Sequence, residues 1–148
     1  MKKILAVASG GGHWKQLMLI SPAFTQHNVK YITTIDGLPQ ESQVSNYKIV
    51  RDSNKNEKFR VIQTFLQIFK EILVFRPDLV ITTGAAPGLL ALLVGRFFFA
   101  KTIWVDSIAN GEELSLGGKL SKKFAHKVIS QWQEVAKENE VDFEGSVF

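Results

Sequence analysis

His13 directly follows Ser9-Gly10-Gly11-Gly12, where a short apolar run gives way to a predicted helix. Three glycines let a ligand approach the backbone closely, and the unpaired N–H groups of a helix start suit an anion such as phosphate or pyrophosphate. An imidazole in that first turn is expected to be neutral, because the helix terminus disfavours its cation, and so to act as a base near neutral pH. Gly84-Ala85-Ala86-Pro87-Gly88 repeats the arrangement of small residues before a helix, and Asp106–Asn110 is a third segment, headed by an acid. Each loop alone also suffices as a plain strand-to-helix turn. Their convergence on one crevice is the stronger signal.

The common nucleotide motifs fit poorly. Around Gly118-Lys119 a phosphate-binding P-loop finds Glu113 where its first glycine belongs and Leu120 after the lysine. A dinucleotide fingerprint matches Gly10 and Gly12 but meets Lys15 at the third glycine; Asp36 sits where a ribose-binding acid would. A stand-alone nucleotide-binding or dinucleotide-binding domain therefore stays open as an alternative. With no cysteine, and with His13, His27 and His126 scattered, neither a metal site nor a bound cofactor is expected.

These loops need elements to hold them. Lys3–Ala8, Asn28–Ile35, Tyr47–Val50, Asp78–Thr83, Lys101–Val105 and Lys127–Gln131 read as strands. His13–Thr25, Phe59–Phe75, Leu89–Phe99 and Leu116–His126 read as helices, and Arg51–Lys58 as a polar loop. Buried strands alternating with helices predict an α/β fold with a doubly wound, mainly parallel sheet, whose ligands bind at the carboxyl ends of the strands. The 148 residues, 45% hydrophobic and 22% charged, suit one domain over 1–148, with 133–148 as a tail.

The net charge of +4 favours an anionic partner. Ile4–Ala8 is too short for a signal peptide, and Ala85–Ala100, interrupted by Arg96, falls short of the ~20 apolar residues of a spanning helix, so contact with a membrane would be peripheral. On Phe59–Phe75 the apolar residues cover an arc of roughly 200°, wider than the ~100° one core contact needs; the excess faces either a neighbouring helix or a partner or lipid. Phe97, Phe98 and Phe99, between Arg96 and Lys101, either join the core or enter a lipid interface. Lys119, Lys122, Lys123 and Lys127 are expected to share one basic helix face that is either merely solvated or meets anionic lipid or a lipid-linked pyrophosphate. Nucleic acid is not expected, since no aromatic residues interleave the lysines.

Ser9-Gly10-Gly11-Gly12-His13 resembles the GGxGGH-type loop of the MurG family of lipid II N-acetylglucosaminyltransferases. Val105-Asp106-Ser107, Leu114–Leu120 and Ser130-Gln131-Trp132 resemble the E-S…R…L-S-x-S-G-K-L…V-Q-W pattern of accessory subunits of two-part glycosyltransferases. That group includes the anchor subunit of the eukaryotic dolichol-linked N-acetylglucosaminyltransferase and PssD/EpsE-type exopolysaccharide and capsule proteins. Asp106 replaces the usual glutamate, Asn110 the arginine and Gly117 the serine, and no amino-terminal membrane helix is expected. The resemblance implies a Rossmann-like domain equivalent to the amino-terminal, acceptor-side half of a GT-B glycosyltransferase, located in the cytoplasm at the inner face of the cell membrane. It implies a catalytic partner carrying the nucleotide-sugar site and a lipid-linked sugar acceptor. His13 or Asp106 would be the base, and Ser9, Gly10, Gly11, Gly12, Gly84, Gly88, Asn110, Ser115 and Lys119 would bind the acceptor or its phosphates. Phe97, Phe98, Phe99, Lys122 and Lys123 would meet the membrane, and Trp132, Phe143 and Phe148 the partner. A scaffold that adds nothing to the site is the non-enzymatic alternative. One such domain supplies half a GT-B site, so the site is expected to be completed by pairing.

Overall fold

Strand β1 (Lys3–Ala8) is apolar almost throughout because it is buried on both faces. In the computed structural model, which describes residues 1–52 and 57–148, Leu5 and Val7 enter one core with Ile68, Ile72 and Leu92. Ile4, Ala6 and Ala8 enter a second with Trp14, Leu17 and Phe24. Helix α1 (Gly12–Ile20) covers that second face, while α3 (Lys58–Phe75) and α4 (Ala86–Phe97) cover the first.

The remaining strands are β2 (Asn28–Thr33), β3 (Tyr47–Ile49), β4 (Leu79–Gly84), β5 (Lys101–Val105), β6 (Lys127–Ser130) and β7 (Asp142–Phe143), with a four-residue helix α2 (Leu38–Glu41) after β2. All pair in parallel in the order β3-β2-β1-β4-β5-β6-β7. The chain winds outward from β1 to β3, then returns through α3 to begin again at β4 on the other side of β1. The crevice of an open α/β sheet lies at such a reversal, here between the carboxyl ends of β1 and β4.

Several predicted boundaries move. The first helix stops at Ile20 and tightens into a 3-10 turn, Ser21–Phe24, because Pro22 has no N–H to continue it. Helix α4 begins at Ala86, three residues before the predicted start, since Pro87 has the right φ for a first turn and loses no bond there. The predicted helix Leu116–His126 is only α5 (Leu116–Ser121): Ser121 O receives the N–H of both Phe124 and Ala125, and the chain turns so that these two residues pack on the core before β6. The four lysines consequently share no helix face. Lys119 pairs with Glu113 at 2.9 Å, Lys127 lies in β6 and pairs with Glu144 at 2.7 Å, and Lys122 donates to the carbonyl of Asn139.

The segment read as a tail is folded onto the sheet edge. Helix α6 (Gln133–Asn139) buries Val135 and Ala136, and β7 pairs with β6. Of the predicted loop Arg51–Lys58, residues 53–56 lie outside the described residues. Asp36, considered as a ribose ligand, accepts Gly37 N–H and Gln40 Nε2–H at 2.9 Å each and so fixes the start of α2.

Candidate functional site

The carboxyl ends of β4 and β5, with the first turn of α1, border a cleft of about 440 Å³. His13 reaches it from the first turn of α1, which the chain enters through Gly11 at φ 68°, a left-handed conformation suited to glycine. The imidazole Nδ1 lies 2.8 Å from Thr83 O, and Thr83 Oγ1 donates to His13 O at 2.6 Å. A carbonyl only accepts, so Nδ1 carries the proton and Nε2 keeps its lone pair. Among the described residues nothing bonds to Nε2, which is left able to take up a proton.

Gly84 makes that ring position possible. Its φ is +115°, and a Cβ there would stand 2.8 Å from His13 Cε1 and Nδ1. Gly84→Ala is expected to push the ring off Thr83 O and to destabilise the fold by more than about 1 kcal/mol. The two effects are separable by following the His13 ring resonances alongside thermal unfolding; a variant with an unshifted ring and native melting would contradict this.

Asp106, 1% exposed at the end of β5, is a hub of hydrogen bonds. Its Oδ1 accepts Trp104 Nε1–H at 2.9 Å and the hydroxyl of Ser115, and its Oδ2 accepts Ser115 N–H at 3.0 Å. Its backbone carbonyl receives Gln16 Nε2–H at 3.1 Å and Gln131 Nε2–H at 3.0 Å. Gln16 Oε1 also takes Ile108 N–H, and Trp132 Nε1 donates to Ile108 O at 2.7 Å. The segment from Asp106 to Ser115 is thereby clamped from α1 and from Gln131 and Trp132, the two residues after β6. Ser115 in turn caps α5 by accepting Gly118 N–H at 2.9 Å. A Cβ on Gly117 would sit 2.4 Å from the Trp104 indole, so the indole fills the space a side chain at 117 would need.

His13, Gly84, Asp106, Asn110 and Ser115 all line the cleft. Ser9, Gly10, Gly11, Gly12, Gly88 and Lys119 do not: the glycines shape the entry to α1, and Gly88 lies inside α4 against Thr82. Sequence reasoning missed the apolar wall of Leu89, Trp104, Leu116 and Leu120, together with Thr83 and Ser107. Leu116 and Leu120 carried a usable signal, since their i, i+4 spacing places both on one side of α5. The cleft thus combines the polar side chains of His13, Ser107 and Asn110 with apolar ones. Among the described residues no three histidine or acidic side chains are grouped to hold a metal.

Elsewhere, Phe97 and Phe99 are exposed and Phe98 packs on Phe69 at 5.4 Å between ring centroids. On α3 the side bearing Ile68 and Ile72 is buried, and Ile62, Leu66 and Leu73 are exposed. Lys122 and Lys123 are exposed, as are Trp132, Phe143 and Phe148. No described helix is long and apolar enough to cross a membrane.

A Rossmann-like α/β domain with its cleft at the β1/β4 reversal is the architecture of the amino-terminal half of GT-B glycosyltransferases. Crystal structures with this fold include MurG of Acinetobacter baumannii, with TM-score 0.76 at 12% identity over 91% of this chain and 43% of that one. UDP-N-acetylglucosamine 2-epimerase of Rickettsia bellii gives TM-score 0.77 at 12% identity, covering 99% and 45%, and S. aureus MnaA with UDP gives 0.73 at 14%, covering 95% and 40%. The chain spans less than half the length of each of these structures. No curated protein matches the sequence significantly. Residues 24–147 match the family model described as "Oligosaccharide biosynthesis protein Alg14 like", and the chain belongs to that family. The glycine loop and His13 lie upstream of the matched residues.

Proposed function

We propose that this chain is the acceptor-binding and membrane-recruiting subunit of a two-chain glycosyltransferase. The enzyme would act at the inner face of the cell membrane in bacterial exopolysaccharide or capsule synthesis. Its reaction moves a sugar from a nucleotide-sugar, held by the partner, to a saccharide on a lipid pyrophosphate. The single observation carrying the reading is the cleft that pairs His13 Nε2 with an apolar wall at the β1/β4 reversal.

An acceptor hydroxyl attacks the anomeric carbon, the new C–O bond forms, and the bond to the nucleotide pyrophosphate breaks with its electron pair. The hydroxyl proton passes to His13 Nε2. Asn110 and Ser107 line the cleft and would orient the sugar, while Leu89, Leu116 and Leu120 would meet the apolar part of the acceptor. Asp106 has three donors on its carboxylate and therefore acts as a positioning residue, holding Ser115 and the segment before it. The exposed apolar side of α3 and α4 would rest on lipid, and Trp132, Phe143 and Phe148, grouped near the β6–β7 edge, would meet the partner.

The test is to co-express the chain with candidate partners, purify the complex, and assay transfer to a lipid-pyrophosphate saccharide with each subunit omitted in turn. Activity is expected only with both present. Full activity of the partner alone would overturn the reading.

A further inference from the structure

Gln131 directly follows β6 and is 4% exposed. Its Nε2–H donates to Asp106 O at 3.0 Å, and its Oε1 accepts Val147 N–H at 3.0 Å. A carbonyl only accepts and a backbone N–H only donates, so these two partners fix which way the amide points. Asp106 O also takes Gln16 Nε2–H, which uses both of its lone pairs, and Gln16 Oε1 holds Ile108 N–H at 3.2 Å. Gln16 follows His13 by three residues on α1, a spacing that puts both on one side of the helix. A path of buried side-chain amides therefore runs from Val147 to the cleft loop, residues 107–115, and to the helix that carries His13.

The outer end of this path is held weakly. Strand β7 adds only two residues to the sheet, and the Lys127–Glu144 pair is exposed to solvent, where such pairs contribute little. Phe143 and Phe148, 42% and 61% exposed, leave the outer side of the segment uncovered. Val147 N–H is the contact that reaches inward. When residues 144–148 lift, Gln131 Oε1 is left buried without its donor, which is costly. Rotating the amide relieves this and withdraws its N–H from Asp106 O. Because the amide is one planar group, its two ends cannot respond separately, and the segment and the loop share two discrete arrangements, as coupling requires.

We propose that Gln131 is a positioning residue of the acceptor site, whose amide makes the geometry of loop 107–115 depend on the seating of residues 144–148. The proposal rests on the two-chain function above and adds a regulation to it: a partner that covers Phe143 and Phe148 holds the segment down and thereby tightens the acceptor site. Trp132 acts beside it from the outside, since its Nε1–H donates to Ile108 O at 2.7 Å while 42% of the residue stays exposed to a partner.

The experiment is amide hydrogen exchange on the full chain, followed by NMR. Val147→Pro removes the N–H at the outer end. It should speed exchange at Ile108 and Ser115 about fivefold, the equivalent of one ordinary hydrogen bond, and leave Leu5 and Val7 of β1 unchanged. Gln131→Met, close in shape but without the amide, should do the same. Val147→Pro made in the Gln131→Met chain should add nothing, because the group it acts through is gone; additive effects would overturn the relay. In the reconstituted complex, Val147→Pro should raise the acceptor KM about fivefold with kcat and partner affinity close to the parent, since Trp132, Phe143 and Phe148 are intact. Unchanged exchange at Ile108 and Ser115 in Val147→Pro overturns the relay even where transfer needs both chains. A partner fully active alone overturns the two-chain reading even where exchange changes.

Discussion

Replacing His13 with asparagine should lower sugar transfer by the reconstituted complex by about 10²- to 10⁴-fold, the usual cost of removing a general base. Asparagine is the informative choice because its amide N–H can still donate to Thr83 O, the bond His13 makes through Nδ1 at 2.8 Å. The variant loses the nitrogen with a free lone pair and retains the anchor. Folding, partner binding and the acceptor KM should therefore stay close to the parent while kcat falls. Turnover within a few-fold of the parent would sink the base assignment and leave a scaffold as the better account.

The approach of three strand ends was legible in the sequence because it depends on local features. Apolar runs set the strands, glycine and proline mark their ends, and alternation with helices dictates a parallel sheet, which brings Ser9–His13, Gly84 and Asp106 to one side. The side chains that hold the site rigid were not legible. Gln16 and Asp106 are 90 residues apart, and nothing in the spacing says that a buried glutamine will clamp that carbonyl. Asp106 looked like a free carboxylate for the same reason: its donors Trp104 and Ser115 are ordinary residues until the chain is folded. The lysines after Gly118 failed differently. Their i, i+3 and i+4 spacing is genuinely helical, but Phe124 and Ala125 gain more by turning into the core than a longer α5 would provide. Trp132 was read as a partner contact, yet its indole also donates to Ile108 O and stands against Gly111, so it braces the cleft's outer loop.

That buried network makes Asp106→Ala the substitution with the largest expected effect on stability. The change removes the acceptor for Trp104 Nε1 in a buried environment and leaves Ser115 N–H and hydroxyl without their partner. An orphaned buried donor costs about 1–3 kcal/mol, and the donors here share one acceptor group, so the sum should reach roughly 2–5 kcal/mol. For a domain of this size each kcal/mol lowers Tm by roughly 2–4 °C, which places the expected drop at about 4–20 °C. Asp106→Asn should be milder, because its carbonyl can still serve Trp104 and the Ser115 hydroxyl, while its amide N–H confronts Ser115 N–H. Loss of the carboxylate also frees Ser115, the cap of α5, so the Leu116–Leu120 wall of the cleft should loosen and the acceptor KM should rise. The two aspartate variants and His13→Asn therefore separate the roles by readout: Tm and KM move for Asp106, kcat for His13. An Asp106→Ala chain that melts like the parent yet abolishes transfer would reverse the assignment and make the aspartate, not the histidine, the group that takes the proton.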